Sequence, residues 1–331
     1  MKKILFILLT AYCLLLTAYS LLPTISFAQE QAGQDIAVLK AGVGARALGM
    51  GSAFTAISDN ADAPYWNPAG LSQINQCGAT VMQFRLSTDA DYYYVSYVQP
   101  IKIKHSPEKN YGTIGISWVQ VGLGDIRQTA SPEGWPNEVR NLGTFSYFSN
   151  AYLLSYGYPF TENLSLGLTA KYLTSDMTAI RGGQAWGYSF TPGVLYKPSL
   201  NLSIGLKLDE LLNAQKWGTG TVEQVPTKLR LGIGYLVTPA RRSSESEGGG
   251  YGLLVTADVS QILKSGYSTQ GYFGAEMNFG KTLAMRLGNG DNGWTAGVGF
   301  KTENVGVDYA YVTQRALSKD NVHRVALSGW W

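Results

Sequence analysis

The sequence predicts an all-β protein, a transmembrane antiparallel β-barrel of about 14 strands with an N-terminal hatch in its lumen. From residue 77 onward apolar residues alternate with small or charged ones, which is the period of β-strands. A glycine-rich stretch, Ala41 to Ile74, precedes the first of these segments. Only 15% of the residues are charged, and there are 39 Gly and 21 Tyr. This composition is typical of a barrel with an apolar outer band and aromatic girdles at its rims.

Residues 1–28 have the three parts of a secretory signal peptide. Lys2 and Lys3 supply the positive region, an apolar run follows from Ile4 to Leu22, and Ser26-Phe27-Ala28 fits the small-x-small cleavage site. We therefore expect cleavage near Ala28. The apolar run is also long enough for a membrane helix, so an uncleaved anchor is the alternative.

Residues 29–76 are expected to form a leader and the hatch. Gln29 to Lys40 is an exposed leader in this interpretation, and the hatch runs from Ala41 to Ile74. Pro64 and Pro68 prevent one continuous helix. The two hatch aspartates are expected to accept backbone N–H groups in turns, with cation binding as the alternative. The candidate hatch residues are Gly49, Gly51, Asp59, Asp62, Trp66, Asn67, Pro68, Ala69 and Gly70.

The same stretch matches a dinucleotide-binding fingerprint at Gly42-x-Gly44-x-x-Ala47. That fingerprint needs a helix whose N-terminus holds the pyrophosphate. Gly49 and Gly51 lie where this helix would run, and each disfavours helix by about 1 kcal/mol relative to alanine. Since no βαβ unit follows either, a nucleotide site is not expected.

The barrel is expected to occupy residues 77–331. Between residues 164 and 172, leucine, alanine and tyrosine alternate with serine, glycine, threonine and lysine. In a membrane barrel the apolar face points at lipid and the other face at the lumen. The lumen should therefore hold the strand charges Lys171, Lys207, Arg230, Asp258 and Glu276. Strands are expected to start near residues 77, 91, 111, 145, 163, 185, 201, 228, 251, 268, 282, 293, 304 and 322.

The connections differ in length between the two ends of the predicted barrel. The longest outer connection is expected at residues 122–144, and a polar inner one at 239–250. The segment Asp209 to Lys216 is the best helix candidate after the signal, about two turns long. Four apolar residues of the first connection are candidates for contact with a ligand or partner: Ile126, Trp135, Val139 and Leu142.

The sequence offers few residues for catalysis. It contains two histidines, His105 and His323, so a histidine triad or a histidine-rich metal site is hard to build. No G-x-S-x-G elbow accompanies them. We expect no enzyme activity, no cofactor and no metal, with a Tyr, Asp and Ser site at the barrel rim as the open alternative. The net charge of +3 is too small to indicate nucleic-acid binding.

Three motifs of the hatch carry a family resemblance. GARALGMGSAF begins at Gly44, DNADA at Asp59 and WNPAGL at Trp66. Their order resembles the N-terminal hatch of FadL-type outer-membrane barrels, the long-chain fatty-acid transporters, and most closely the PorV/PorQ branch of that superfamily. The resemblance implies the outer membrane of a Gram-negative-type bacterium. The last strand ends on Trp331, an aromatic that resembles the recognition signal of the barrel assembly machinery.

The resemblance implies two functions. A FadL-like barrel would transport hydrophobic small molecules passively, taking them in among the outer loops and releasing them sideways through the wall. A PorV-like barrel would be a non-enzymatic scaffold or shuttle of a type IX protein secretion system, whose outer loops receive a secreted protein. The implied partners are outer-membrane lipid, the barrel assembly machinery, and a hydrophobic ligand or a secreted protein. A secreted soluble β protein is the third interpretation.

Overall fold

A computed structural model describes residues 37–86, 90–102, 110–130, 139–178, 180–238, 251–291, 293–313 and 322–331. The predicted signal peptide, most of the leader, His105, Trp135 and the connection at 239–250 lie outside these residues. No helix in the described ranges is long and apolar enough to cross a membrane.

The described chain forms one antiparallel sheet in which β1 pairs with β16 and β5 pairs with β6, so that the wall closes into a barrel. Fourteen strands form the wall, and β8 and β9 form a hairpin that extends β7 and leads into β10. The strands are β1 (Gly78–Arg85), β2 (Asp91–Pro100), β3 (Thr113–Ala130), β4 (Arg140–Pro159), β5 (Leu164–Met177), β6 (Gln184–Tyr196), β7 (Leu202–Asp209), β8 (Leu211–Trp217), β9 (Val222–Glu223), β10 (Lys228–Thr238), β11 (Tyr251–Ile262), β12 (Gln270–Phe279), β13 (Leu283–Gly290), β14 (Gly293–Lys301), β15 (Val305–Val312) and β16 (Val322–Trp330).

This barrel confirms the predicted fold class. The wall strands begin within two residues of the predicted positions, except β4, which begins at Arg140 instead of near residue 145. We call the end where β1 begins and β16 finishes the near end, and the opposite end the far end. At the far end β3 and β4 stay paired as far as Ala130 and Arg140, beyond the last pairing of β2 at Asp91. Much of the predicted connection 122–144 is therefore a two-stranded ribbon, because bulges absorb its irregular residues without ending the pairing.

The helix predicted at Asp209 to Lys216 is wrong. Asp209 ends β7, and Leu211–Trp217 is β8. Glu210 has φ 59°, outside the helical region, and its side chain lies in the lumen. There it accepts hydrogen bonds from Lys171 Nζ and Ser189 Oγ, each at 2.5 Å. This tertiary contact overrides the local helical preference.

The two faces of the strands are as predicted. Leu168 is 48% exposed on the outside, and the next residue, Thr169, is fully buried in the lumen. The five charged residues predicted to face the lumen are all buried there. A soluble sandwich would bury its apolar faces, and this barrel exposes them as a membrane barrel does.

The hatch, Ala41 to Ile74, lies inside the lumen and contacts the wall. A short helix precedes it, α1 (Ala37–Lys40), and the hatch contains α2 (Ala45–Gly49), α3 (Ala63–Trp66) and a 3₁₀ helix (Pro68–Gln73). The one-turn α2 is too short for the helix that the dinucleotide fingerprint requires. At six places the hatch passes an inward glycine of the wall, and a Cβ there would collide with the hatch: Gly157, Gly167, Gly193, Gly205, Gly274 and Gly288.

Gly274→Val should therefore weaken the seating of the hatch. The added side chain would collide with the Met50 carbonyl oxygen, and overpacking of this kind costs about 1–3 kcal/mol. We expect faster trypsin cleavage within the hatch of the purified, folded barrel. Ala275→Val, which adds volume on the neighbouring residue of the opposite face, is the matched control. Equal cleavage rates in the two variants would contradict the close contact.

Candidate functional site

The WNPAGL motif folds the hatch through side-chain bonds to its own backbone. Trp66 Nε1 donates to the Val43 carbonyl at 3.0 Å. Asn67 Oδ1 accepts from the Ala69 N–H at 3.1 Å and so begins the 3₁₀ helix. Asn67 Nδ2 donates to the Thr55 carbonyl at 2.8 Å and to the Val194 carbonyl of β6 at 3.1 Å. This residue therefore holds two parts of the hatch together and fixes them to the wall.

The remaining candidate hatch residues mark places where the hatch meets the wall or itself. Gly49 lies against Gly297, and Gly51 against the backbone of β12 and β13. The Gly51 N–H donates to Thr295 Oγ1 at 2.9 Å, and the same hydroxyl donates to the Gly49 carbonyl at 3.0 Å. Pro68 and Ala69 lie against Gly157 and Gly167 of the wall, and Gly70 against the Ser58 carbonyl.

A chain of five alternating charges joins the hatch to the wall. Arg46 of the hatch donates to Asp59 at 2.5 Å and, through Nε, to Glu276 of β12 at 2.8 Å. Glu276 also accepts from Arg286 at 2.6 Å, and Arg286 reaches Asp308 at 2.6 Å. Glu276 is thus shared between one hatch cation and one wall cation. Within the described part of the chain, no three His, Cys, Asp or Glu side chains are grouped to hold a metal ion.

A second charged group supports the middle of the hatch. Asp258 Oδ2 accepts from Arg230 Nε at 2.9 Å and from the backbone N–H groups of Phe54 and Thr55 at 3.2 and 3.1 Å. The guanidinium of Arg230 lies 5.5 Å from the Trp66 ring centre. Wall charges thus satisfy hatch backbone groups that would otherwise be buried without partners.

The structure places the two hatch aspartates differently from the sequence expectation of backbone N–H partners. Asp59 accepts from Arg46, and Asp62 Oδ2 accepts from the Asn60 side-chain amide at 2.9 Å. Asp62 is 2% exposed, and its Oδ1 has no hydrogen-bond partner among the described residues. Burial raises the pKa of this carboxyl to about 6, against the opposing effect of the Asn60 hydrogen bond.

A polar cavity of about 660 Å³ lies at the near end. Hatch residues Arg46 and Asp59 line it together with Glu276, Lys281 and Asp308 of the wall. Apolar residues such as Ile74 and Val98 also line it, but an apolar molecule there would contact several charged groups.

The lumen toward the far end is mainly apolar on the side of β15, β16 and β1 to β5. Apart from Ser149, Ser175 and Arg324, the buried inward residues here are aromatic or aliphatic, and the α1 residues Val38 and Leu39 pack among them. The wall residues of this apolar compartment are Met82, Phe84, Tyr92, Tyr94, Val119, Ala151, Leu153, Leu173, Val312 and Val322.

The expectation of an exposed leader is wrong for the end of that segment. Val38 is fully buried and Leu39 is 7% exposed. The apolar run Ile36-Ala37-Val38-Leu39 could have indicated burial, but the residues before it are mostly polar and favoured an exposed segment. The compartment itself was also missed, because it forms from inward residues of several strands that are distant in sequence.

The backbone pairing of the wall is interrupted at one place, where one side is the chain from β7 into β8 and the other side is the chain from β9 into β10. The β7–β10 pairing ends at Asp209–Lys228, and the β8–β9 pairing consists of Gln215–Glu223 and Lys216–Val222. Between them the Asn213 side chain bridges the two sides. It donates to the Glu210 and Val225 carbonyls at 2.6 and 2.7 Å and accepts from the Val225 N–H at 2.8 Å. One side chain here replaces several backbone pairings.

Of the candidate contact residues of the far end, Ile126 and Leu142 lie on the β3–β4 ribbon and Val139 lies just before β4. Ile126 is half-buried opposite Phe145, whereas Val139 and Leu142 are 67% and 58% exposed. At the near end the Trp331 N–H donates to the Cys77 carbonyl at 3.1 Å, which ties the last residue to the chain just before β1.

Solved structures similar to this chain include those of toluene transporters and a monoaromatic hydrocarbon channel. The chain resembles the Ralstonia pickettii toluene transporter TbuX, with a TM-score of 0.56 and 14% identity over 88% of this chain and 98% of that one. It also resembles the Pseudomonas putida toluene transporter TodX, with a TM-score of 0.52 and 12% identity over 87% of this chain and 96% of that one. For the monoaromatic hydrocarbon channel CymD the TM-score is 0.55 and the identity 12%, over 90% of this chain and 99% of that one. No protein-family model matches the chain, and no curated protein does.

The fold and the outer surface together define a class of protein, the transmembrane β-barrels with a hatch in the lumen. A closed barrel of 14 wall strands has an apolar outer face, and a hatch occupies its lumen. The toluene transporters TbuX and TodX share this fold across nearly their whole length.

Glu276→Gln should loosen the hatch. The change leaves Arg46 and Arg286 without the carboxylate that both contact, and breaking a buried ion pair costs about 3 kcal/mol or more. We expect trypsin to cleave at Arg46 faster than in the unaltered barrel. Asp91→Asn, which removes the acid of an exposed pair with Arg85, should change little. Unchanged cleavage in Glu276→Gln would show that the shared carboxylate does not hold the hatch.

Asp62→Asn should remove a pH dependence of hatch stability. The raised pKa of Asp62 favours the protonated carboxyl, so its contribution to stability is present below the ordinary pKa and is lost as pH rises through about 6. At pH 7.5 the variant should be more stable by roughly 3 kcal/mol, since the pKa is raised from 3.8 to about 6 and each pKa unit corresponds to about 1.36 kcal/mol. Thermal unfolding at pH 5 and 7.5 measures this difference. Asp59→Asn should give no such gain, and an equal pH slope in Asp62→Asn and the unaltered protein would refute the assignment.

Proposed function

We propose that this protein is a passive channel for hydrophobic small molecules in the outer membrane of a Gram-negative-type bacterium. The observation that carries the proposal is the apolar compartment of the lumen, which is lined by Phe84, Tyr92, Leu153 and Leu173. A channel for polar solutes would need a polar lining throughout. The titles of the similar solved structures, which name toluene and monoaromatic hydrocarbons as cargo, support the same class of ligand.

The lengths of the connections support an orientation. Three connections at the near end are short: those after Pro159, Phe279 and Lys301. The β3–β4 ribbon extends from the far end. Outer-membrane barrels have short periplasmic turns and longer external loops, so the near end would face the periplasm.

The proposed path runs from the far end into the apolar compartment and then sideways into the bilayer. The hatch and its charged contacts lie between this compartment and the near end, so a straight path to the near end would bring an apolar molecule against buried charges. The interruption at Asn213 is the place where the fewest backbone pairings must separate.

Uptake by cells tests the channel. Cells that carry the barrel should accumulate radiolabelled toluene or dodecanol faster than cells without it.

A disulfide across the interruption tests the sideways exit. In a Cys77→Ala background, a disulfide between Asn213→Cys and Val225→Cys should slow uptake reversibly, with reductant restoring it. A Gln83→Cys and Val325→Cys pair joins outward partners of β1 and β16 and is the control. No difference in uptake would refute the channel, whereas uptake unaffected by the first disulfide would refute only the sideways exit.

A scaffold of a PorV-like secretion system is the second candidate. The exposed Val139 and Leu142 at the ribbon favour it, because apolar residues beyond the barrel suit protein contact. A photo-crosslinker at position 142 that captures a secreted protein, in a barrel that does not speed hydrocarbon uptake, would favour this candidate over the channel.

A further inference from the structure

The cavity at the near end is a part of the lumen that the hatch leaves open. Its volume of about 660 Å³ lies within the range of ligand pockets, roughly 300–1,000 Å³. Small inward residues of the wall line it, among them Gly78 and Gly306. A Cβ on Gly78 would lie 3.5 Å from its nearest neighbours, which belong to the wall, and one on Gly306 would meet the Trp330 ring. By contrast, Gly274 and Gly288 lie directly against the hatch backbone.

The cavity carries basic side chains that no acid neutralises. Four basic and three acidic side chains line it. All three acids belong to the chain of alternating charges described above, where each contacts Arg46 or Arg286. The other two bases, Lys281 and Lys301, form no ion pair with residues that the structure describes. Lys301 Nζ lies 4.4 Å from the centre of the Trp330 ring.

The two lysines lie side by side on neighbouring connections at the mouth of the cavity. The Lys301 N–H donates to the Thr282 carbonyl at 2.7 Å, and Lys281 is the residue before Thr282. Both lysines are exposed. Asn75 and Gln76 of the same mouth are exposed too, and their side-chain amides have no hydrogen bond within the described ranges. The mouth thus offers two cations together with amide groups that both donate and accept.

We propose that the near-end cavity binds an acidic peptide segment of a partner protein, with its carboxylates on Lys281 and Lys301 and its backbone on the amides of Asn75 and Gln76. Carboxylates and ammonium groups form strong, charge-assisted hydrogen bonds. A small polycarboxylic acid fits less well, because it would leave the carbonyl oxygens of the amides without donors. In the orientation proposed above, the near end faces the periplasm, so the partner is a periplasmic protein.

A peptide in this cavity would also reach the hatch. Arg46 lines the cavity and is shared by Asp59 and Glu276. The Asp59 side chain is 40% exposed, and exposed ion pairs contribute little to stability. A carboxylate of the peptide can therefore take the place of Asp59 on Arg46, and Asp59 opposes binding by its charge. The site goes beyond the proposed channel and does not depend on it, because it lies on the other side of the hatch from the apolar compartment.

Three capped peptides test the site: tetraglutamate, tetraglutamine and tetralysine. Calorimetric titration of the purified barrel in dodecyl maltoside, an uncharged detergent, should show tetraglutamate binding about tenfold or more tightly than the others, with an affinity that falls as salt rises. Lys281→Gln combined with Lys301→Gln should abolish this preference. Lys216→Gln combined with Lys264→Gln removes the same charge from exposed far-end residues and should leave it unchanged.

A gain of affinity tests the competition for Arg46. Asp59→Asn should bind tetraglutamate several-fold more tightly, because it removes both a competitor and a repelling charge. Asp91→Asn is the matched control, since the Asp91 side chain is 39% exposed and pairs with an arginine at the far end. Unchanged or weaker binding to Asp59→Asn would show that the peptide does not reach Arg46.

The remaining outcomes decide the site independently of the channel. Equal binding of tetraglutamate and tetraglutamine would overturn it, and so would a preference for tetraglutamate that survives in the double variant of Lys281 and Lys301. Tricarballylate, a small polycarboxylate, should bind more weakly than tetraglutamate, and the opposite order would overturn the peptide as ligand. Hydrocarbon uptake by cells is a separate measurement, so its absence would refute the channel and leave a peptide preference standing.

Discussion

The structure depends on a close fit between two backbones, that of the hatch and that of the wall. At several places where the hatch passes a strand, the inward residue is a glycine, and a Cβ there would collide with hatch atoms. The barrel can therefore close around a folded segment, leaving little room for side chains between them. Because this contact is buried, the polar groups of the hatch backbone need partners from the wall, and Asp258, Thr295 and Ser96 supply them.

Buried charges follow from the same constraint. A charged strand residue in the lumen avoids lipid, but it must then find an opposite charge or a backbone group inside. Glu276, Asp258 and Glu210 each meet this need for at least one cation. Since Glu276 contacts both Arg46 of the hatch and Arg286 of the wall, any displacement of the hatch separates charges. Asp62 and Arg324 stand apart, because each is buried without an ion pair to the described residues.

The lumen divides into two compartments with different chemistry. Near-end residues include a cluster of charges around a cavity, whereas the far-end side of β1 to β5 is mainly aromatic and aliphatic. The segment from Val38 to Ala41 connects the two compartments. Its apolar side chains lie in the far-end compartment, and its backbone continues into the charged hatch. A molecule that enters the apolar compartment thus meets the hatch at the point where it begins.

The sequence by itself determined the positions of most strands, which face of each strand points outward, and that charged side chains lie in the lumen. Alternation with period two is a local property, so the outward position of Leu168 and the inward position of Lys171 follow from residues a few places apart. The hatch residues around Trp66 and Asn67 were recognisable for the same reason, because turn-forming proline and asparagine act on their immediate neighbours. What the tertiary structure decided was partnership across the lumen. Which distant strands face one another across the closed barrel decides that Arg286 has a carboxylate partner and Arg324 does not. It also decides that the segment after Glu210 forms β structure and that Val38 is buried. Closure is a property of the whole sheet, and no short stretch of sequence contains it.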